Sequence, residues 1–266
     1  ARRARILAGV AALAVPVAGV MMLLSGGDAR PTLVAEATST KAAAAAPTGQ
    51  SVGVGVGAMA LGNPPAEKVV ASQNFRSVPD GFSFPNWGGA PTTDMIDATT
   101  MAALFTKEAV CVDPAAGTCV MLPAAQKVAD QMNAAIVAGR CEGMSVLAQR
   151  FFDGLDVRAD GIIETVKVSQ PSVMKQLGYW WATQIAPPVS KESKRFRAMT
   201  PSALVAELEK GLQQKLGYTM GLYSAQGGHS VTPIAVTTSG KTKVVYVYDN
   251  NAPGEIRTIA VDTVAQ

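Results

Sequence analysis

Apolar and polar residues follow two different periods along this chain, and the change from one to the other divides it. From residue 95 the spacing is helical: MIDATTMAALF (95–105) and AAQKVADQMNAAIVAG (124–139) repeat apolar positions every three or four residues. In CEGMSVLAQRFF (141–152), Met144, Leu147, Ala148 and Phe151 fall at i, i+3, i+4 and i+7, one buried stripe on a helix. Residues 172–184 and 200–216 read as two more helices. The second opens on Thr200-Pro201, a side-chain N-cap followed by proline at the first helical position. Beyond residue 217 come YTMGLY, HSVTPIAVT, KVVYVYD and IRTIAVDT, short β-branched and aromatic runs separated by Gly, Ser, Asn and Pro. Those are strands of an antiparallel sheet. Helices first and strands last predict an α+β fold rather than alternating βαβ units.

The chain ahead of this domain has another character. Ile6 to Leu24 is an uncharged apolar run behind Arg2, Arg3 and Arg5, the layout of an export signal or a membrane anchor. Its length favours a retained transmembrane helix, while Pro16 and the small-residue site Ala35-Glu36-Ala37 favour cleavage. Residues 25–67 are dominated by Ala, Gly, Thr, Ser and Pro and read as a tether. The aromatic, Pro- and Gly-containing stretch 74–93 reads as irregular chain pinned to the domain surface. The expected organisation is therefore an anchor or signal at 1–26, a flexible tether at 27–73 and an α+β domain at 74–266.

A formal net charge of +3, part of it in the N-terminal arginines, gives no basic face for nucleic acid. Three cysteines in an exported chain suggest one disulfide and one spare thiol. Cys111 and Cys119 bracket VDPAAGT, whose Asp-Pro and Gly can turn the chain so that the sulfurs meet. Pairing of either with Cys141 is the alternative. With Cys111–Cys119 bonded, Cys141 is the free thiol.

A cysteine is a nucleophile as its thiolate, and a helix N-terminus favours negative charge through its unpaired N–H groups. Cys141 follows Gly139-Arg140 and starts the periodic stripe, which is such a position. His229, the single histidine, is the one imidazole base available, and it rules out metal sites built from several histidines. A hairpin turning at Thr238-Ser239-Gly240-Lys241 would set His229 opposite Asp249 on one face, where the carboxylate could orient the ring. A one-residue change of register would break that pairing, with Asn250 or Asn251 as the alternative orienter.

The segments GRCEGMSVL, GGHSVTPIAV and VYVYDNNAPG resemble the Cys, His and Asp/Asn boxes of papain-like cysteine peptidases, including bacterial relatives that process bacteriocins. The resemblance spans roughly Asn133 to Asp262. It implies a nucleophile at Cys141, a general base and acid at His229, an imidazole orienter at Asp249, and no cofactor. In that family a Gln a few residues ahead of the cysteine holds the oxyanion. Here the nearest is Gln131, ten residues before Cys141, so Gln131, Asn133 and backbone N–H groups at Cys141 are the candidates. Glu142 stands where papain has an aromatic residue, and an acidic neighbour would oppose the thiolate.

Other features carry less. Asp156, Asp160 and Gly161 lack the ligands a calcium loop needs at positions 158 and 167. Tyr179-Trp180-Trp181 could line a cleft but fits packing better. Lys191, Lys194, Arg195 and Arg197 read as a solvated loop. The functional expectation is an exported cysteine hydrolase acting on a peptide or acyl-amide, held to the membrane through residues 6–24. The alternative is a weakly active or inactive domain that binds a protein partner in the cell envelope.

Overall fold

A computed structural model describes residues 10–14, 69–89, 96–156, 161–162, 164–224 and 227–263. In chain order the strands and helices are β1 (Val10–Ala14), β2 (Val69–Ser72), α1 (Ser77–Asp80), α2 (Ala98–Phe105), α3 (Lys107–Val110), α4 (Pro123–Ile136), α5 (Cys141–Phe152), α6 (Gln170–Ala182), α7 (Val189–Arg197), α8 (Pro201–Gln214), β3 (Thr219–Ser224), β4 (Gly227–Ser239), β5 (Thr242–Tyr248) and β6 (Ile256–Asp262). The α+β expectation holds: helices fill the first part and a mainly antiparallel sheet the last.

The long strand β4 organises that sheet. Its first half pairs with β3, its second half with β2 on the same side, and β5 lies along the other side, followed by β6. Residues alternate across the sheet, so its two faces feed two apolar clusters. Tyr246 and Tyr248 of β5 pack with Met144, Leu147 and Phe151 of α5. Val245 and Val247 pack on the other side with Leu204, Val205, Leu208 and Leu212 of α8. The apolar stripe of α5 read from sequence is thus buried against the sheet.

Helix starts follow local chemistry. Asp97 caps α2 by accepting from the Thr100 N–H at 2.9 Å, and Thr200 caps α8 by accepting from Ala203 N–H at 3.3 Å.

Several expectations are corrected. Among the described residues no helix is long and apolar enough to cross a membrane, and Val10–Ala14, inside the expected anchor, is a strand running parallel to β3. The transmembrane-helix reading is withdrawn. Apolarity alone does not choose between a helix and an extended run. Val69–Ser72, expected in the tether, joins the sheet through β4. Phe75 and Phe82 were expected on the surface but are core residues, 2% and 0% exposed. Both pack near Tyr248, whose hydroxyl accepts from the Phe82 N–H at 3.0 Å. The basic run 191–197 is the helix α7, which buries Phe196 and leaves Lys191, Lys194, Arg195 and Arg197 outside.

The expected bridge is present. Cys111 and Cys119 are bonded, and Cys141 is the free cysteine among the described residues.

Candidate functional site

Cys141 is the first residue of α5, where the N–H groups of the opening turn have no helical acceptor. Three side chains fix this turn in place. Asn86 accepts from the Arg140 N–H at 2.7 Å. Arg140, wholly buried, donates to the Trp87 carbonyl at 2.9 Å and the Gly89 carbonyl at 3.3 Å, with its guanidinium 4.7 Å from the Trp87 ring centre. Asn250, also wholly buried, donates from Nδ2 to the Cys141 carbonyl at 3.0 Å, Ser145 Oγ at 2.9 Å and the Ser230 carbonyl at 2.9 Å. One amide therefore ties the start of α5 to β4. Gly143 allows α6 to come close, since a Cβ there would lie 2.3 Å from the Leu177 carbonyl oxygen.

His229 lies on β4 and pairs with Leu222 of β3. Its Nε2 is 2.7 Å from Asp249 Oδ1, and its ring also hydrogen-bonds the Cys141 side chain, which leaves Nδ1 to face the sulfur. Thiol, imidazole and carboxylate thus meet across 88 and 20 residues of sequence. Burial works against a charged ring, but the hydrogen bonds and negative charges of Asp249 and Cys141 outweigh it and push His229 up to about 9. Burial would raise Asp249, yet the His229 hydrogen bond and charge, with the Asn251 N–H at 2.9 Å, hold its carboxyl below the usual range. A protonated imidazole held by the ionised Asp249 carboxylate is the favoured arrangement.

The His229–Asp249 contact is made in a register other than the expected one. The hairpin turns on Gly240-Lys241, with Ser239 opposite Thr242, three residues away from the expected pairing sum. An odd offset would place the two residues on opposite faces. A bulge at Ile234, next to Pro233, removes one residue of that offset, so Thr232 pairs with Tyr248. The remaining offset of two keeps His229 and Asp249 on one face as diagonal neighbours, within reach of long side chains.

The alternative orienters have other tasks. Asn250 faces the start of α5, and Asn251 contributes its backbone N–H to Asp249 while its side-chain oxygen accepts from Asn86 at 3.1 Å. Of the oxyanion candidates, Asn133 spends its amide on Ile96, accepting at 3.1 Å and donating at 3.0 Å, which pins α4 to the start of α2. No contact joins Gln131 to the triad among the described residues. Backbone N–H groups at the start of α5 are left as the oxyanion candidates.

Glu142 alters the electrostatic argument made from sequence. Burial raises its carboxyl, only partly offset by the hydroxyls of Ser230 and Thr219. The neutral acid is favoured, and its opposition to a thiolate is relieved. Sequence reasoning also missed Asn86 and Arg140. The signal was present, since an arginine directly before a candidate nucleophile invites the question of what holds it.

Trp180 and Trp181 pack against the core, and Trp180 donates to Asp156 at 2.9 Å, where Arg150 also binds in a two-pronged pair. No group of three potential metal ligands occurs among the described residues.

No family model, curated protein or solved structure matches this chain.

Proposed function

We propose that this protein is an exported cysteine hydrolase of papain-like type that cleaves an amide or related acyl bond through a thioester. One observation carries the reading: both ring nitrogens of His229 are engaged, one by a carboxylate and the other by the thiol at a helix start. Packing alone gives no reason for these three groups to meet. The disulfide Cys111–Cys119 supports an oxidising, extracytoplasmic location.

In this mechanism the Cys141 sulfur attacks the carbonyl carbon and a C–S bond forms. The oxygen takes up the electron pair and is held by the free N–H groups of the α5 first turn. His229 then gives its proton to the leaving amine as the C–N bond breaks, leaving a thioester on Cys141. A water molecule loses a proton to His229 and attacks the thioester, releasing the acid and returning the thiolate–imidazolium pair. Asp249 keeps Nε2 engaged throughout, so Nδ1 faces the reaction.

The binding-domain alternative rested on a retained membrane tether and on Glu142 as an opposing charge. The second is weakened by burial, and neither accounts for the meeting of Cys141, His229 and Asp249, so the hydrolase reading is preferred.

Acylation by p-nitrophenyl acetate, followed by mass spectrometry of digests, tests the proposal. The wild type should accumulate an acetyl group on Cys141, Cys141→Ala none at that position, and His229→Ala should react about a hundredfold more slowly. Equal acylation rates in wild type and His229→Ala would overturn it.

A further inference from the structure

Tyr223 and Arg197 stand beside this site and the mechanism above does not use them. Tyr223 lies on β3, opposite Gly228 and one residue from the partner of His229. Its ring lies flat over two glycines: a Cβ on Gly221 would sit 2.9 Å from the ring and hydroxyl, and one on Gly228 would sit 3.1 Å from the ring edge. Any larger residue at either position would displace the ring. Tyr223 shares one face of the sheet with Thr219 and Ser230, and these two meet the first turn of α5, Thr219 by donating to Glu142 at 3.5 Å and the Ser230 carbonyl through the Asn250 amide that also holds the Cys141 carbonyl.

Arg197, at the end of α7, sets its guanidinium 4.0 Å from the Tyr223 ring centre and also hydrogen-bonds the tyrosine side chain. A planar guanidinium stacked on an aromatic face is held in position at little entropic cost. Yet this cation is exposed. Its neighbour Arg195 is paired with Glu192 at 2.7 Å, whereas Arg197 has no carboxylate partner among the described residues. The acids nearest the site are committed elsewhere, Asp249 to His229 and Glu142 to a buried position.

We propose that Arg197, braced on Tyr223, binds a carboxylate of the substrate close to the bond that Cys141 cleaves. This subsite rests on the hydrolase reading and deepens it: the substrates are peptides or acyl-amides that carry a negative charge near the scissile bond. A guanidinium suits this task because its fork of N–H donors matches the two oxygens of a carboxylate. The carboxylate can be a chain terminus or an acidic side chain, and the two are separable by experiment.

Three thiol-directed probes test the proposal on the full chain. They are maleimidoacetyl-glycine, which has a terminal carboxylate, maleimidoacetyl-glutamic α-amide, which has a side-chain carboxylate, and the neutral maleimidoacetyl-glycinamide. At low salt at least one carboxylate probe should label Cys141 about tenfold faster than the neutral probe, and the faster of the two identifies the source. The ratio of charged to neutral rates, taken within each protein so that any general loss cancels, should fall toward one in Arg197→Ala. Arg197→Lys should restore part of it, because the charge returns without the planar stack. Tyr223→Ala should lower the ratio by freeing the guanidinium. A ratio that survives in Arg197→Ala assigns the preference to the His229 imidazolium and overturns the subsite. Rapid neutral labelling with no carboxylate preference in wild type overturns the subsite alone. A Cys141 inert to all three probes overturns the hydrolase reading together with it.

Discussion

The protein fixes two stretches of backbone around its cysteines in opposite ways. The loop closed by the Cys111–Cys119 bond lies at the surface, with Val112 inside it and Val120 just beyond it 61% and 67% exposed. The 139–145 turn is largely buried, and it is held by the Arg140 N–H donating to Asn86, by the Arg140 guanidinium donating to the Trp87 carbonyl and by donation from Asn250. An exposed loop has little apolar surface to bury, so a disulfide acts by restricting the unfolded chain. A buried turn can be held by polar side chains, because each of its hydrogen bonds would be expensive to lose away from water. The second solution leaves its cysteine chemically free. The difference teaches why one sulfur pair is structural and the third sulfur is available to His229.

Breaking the polar solution should have the larger effect. Asn250→Asp keeps the shape of the side chain but replaces the Nδ2 donor with an oxygen facing the Cys141 and Ser230 carbonyls. It should destabilise the fold by about 3–4 kcal/mol in denaturant titration, from the lost buried donor and a buried charge set against the oxygens of the Cys141 and Ser230 carbonyls. A loss under about 1 kcal/mol would mean that the hub is not what fixes the turn. Breaking the covalent solution should matter less. Replacing both Cys111 and Cys119 with Ser should cost about 2.5 kcal/mol, as expected for closing a loop of this length. It should leave the Cys141 acylation rate nearly unchanged, since the loop takes no part in the site. A disulfide variant that loses acylation while remaining folded would show that the two regions are coupled.

How much of this was legible follows from what each signal depends on. The positions of α2, α4, α5, α6 and α8 were readable because their stripes are set by local periodicity. Helix α7 was not, since in VSKESKRFR one buried Phe196 gives too little pattern to separate an amphipathic helix from a charged loop. The His229–Asp249 pairing was legible in its parity but not in its register. The sequence shows Pro233 but does not show that the strand bulges at Ile234, and that choice is made by packing against α5 and by the Gln73 side chain donating to the Pro233 carbonyl at 2.6 Å. The roles of Asn86, Asn250 and the buried Glu142 depend on neighbours far away in the chain. No local pattern announces them.

The central claim is that His229 holds a proton between Asp249 and Cys141 and thereby keeps the sulfur reactive, and the rate of Cys141 alkylation by iodoacetamide as a function of pH tests it most directly. A group raised from 6.5 to about 9 in the folded protein is charged below that range and loses its proton as pH rises through about 9. The wild type should therefore alkylate readily at pH 6–7, with a change in rate near pH 9 as the imidazolium is lost. At pH 7, His229→Ala should react at least about tenfold more slowly, the equivalent of one pH unit of lost thiolate. Superimposable profiles for the two proteins, with the change near pH 9 missing from the wild type, would contradict the account.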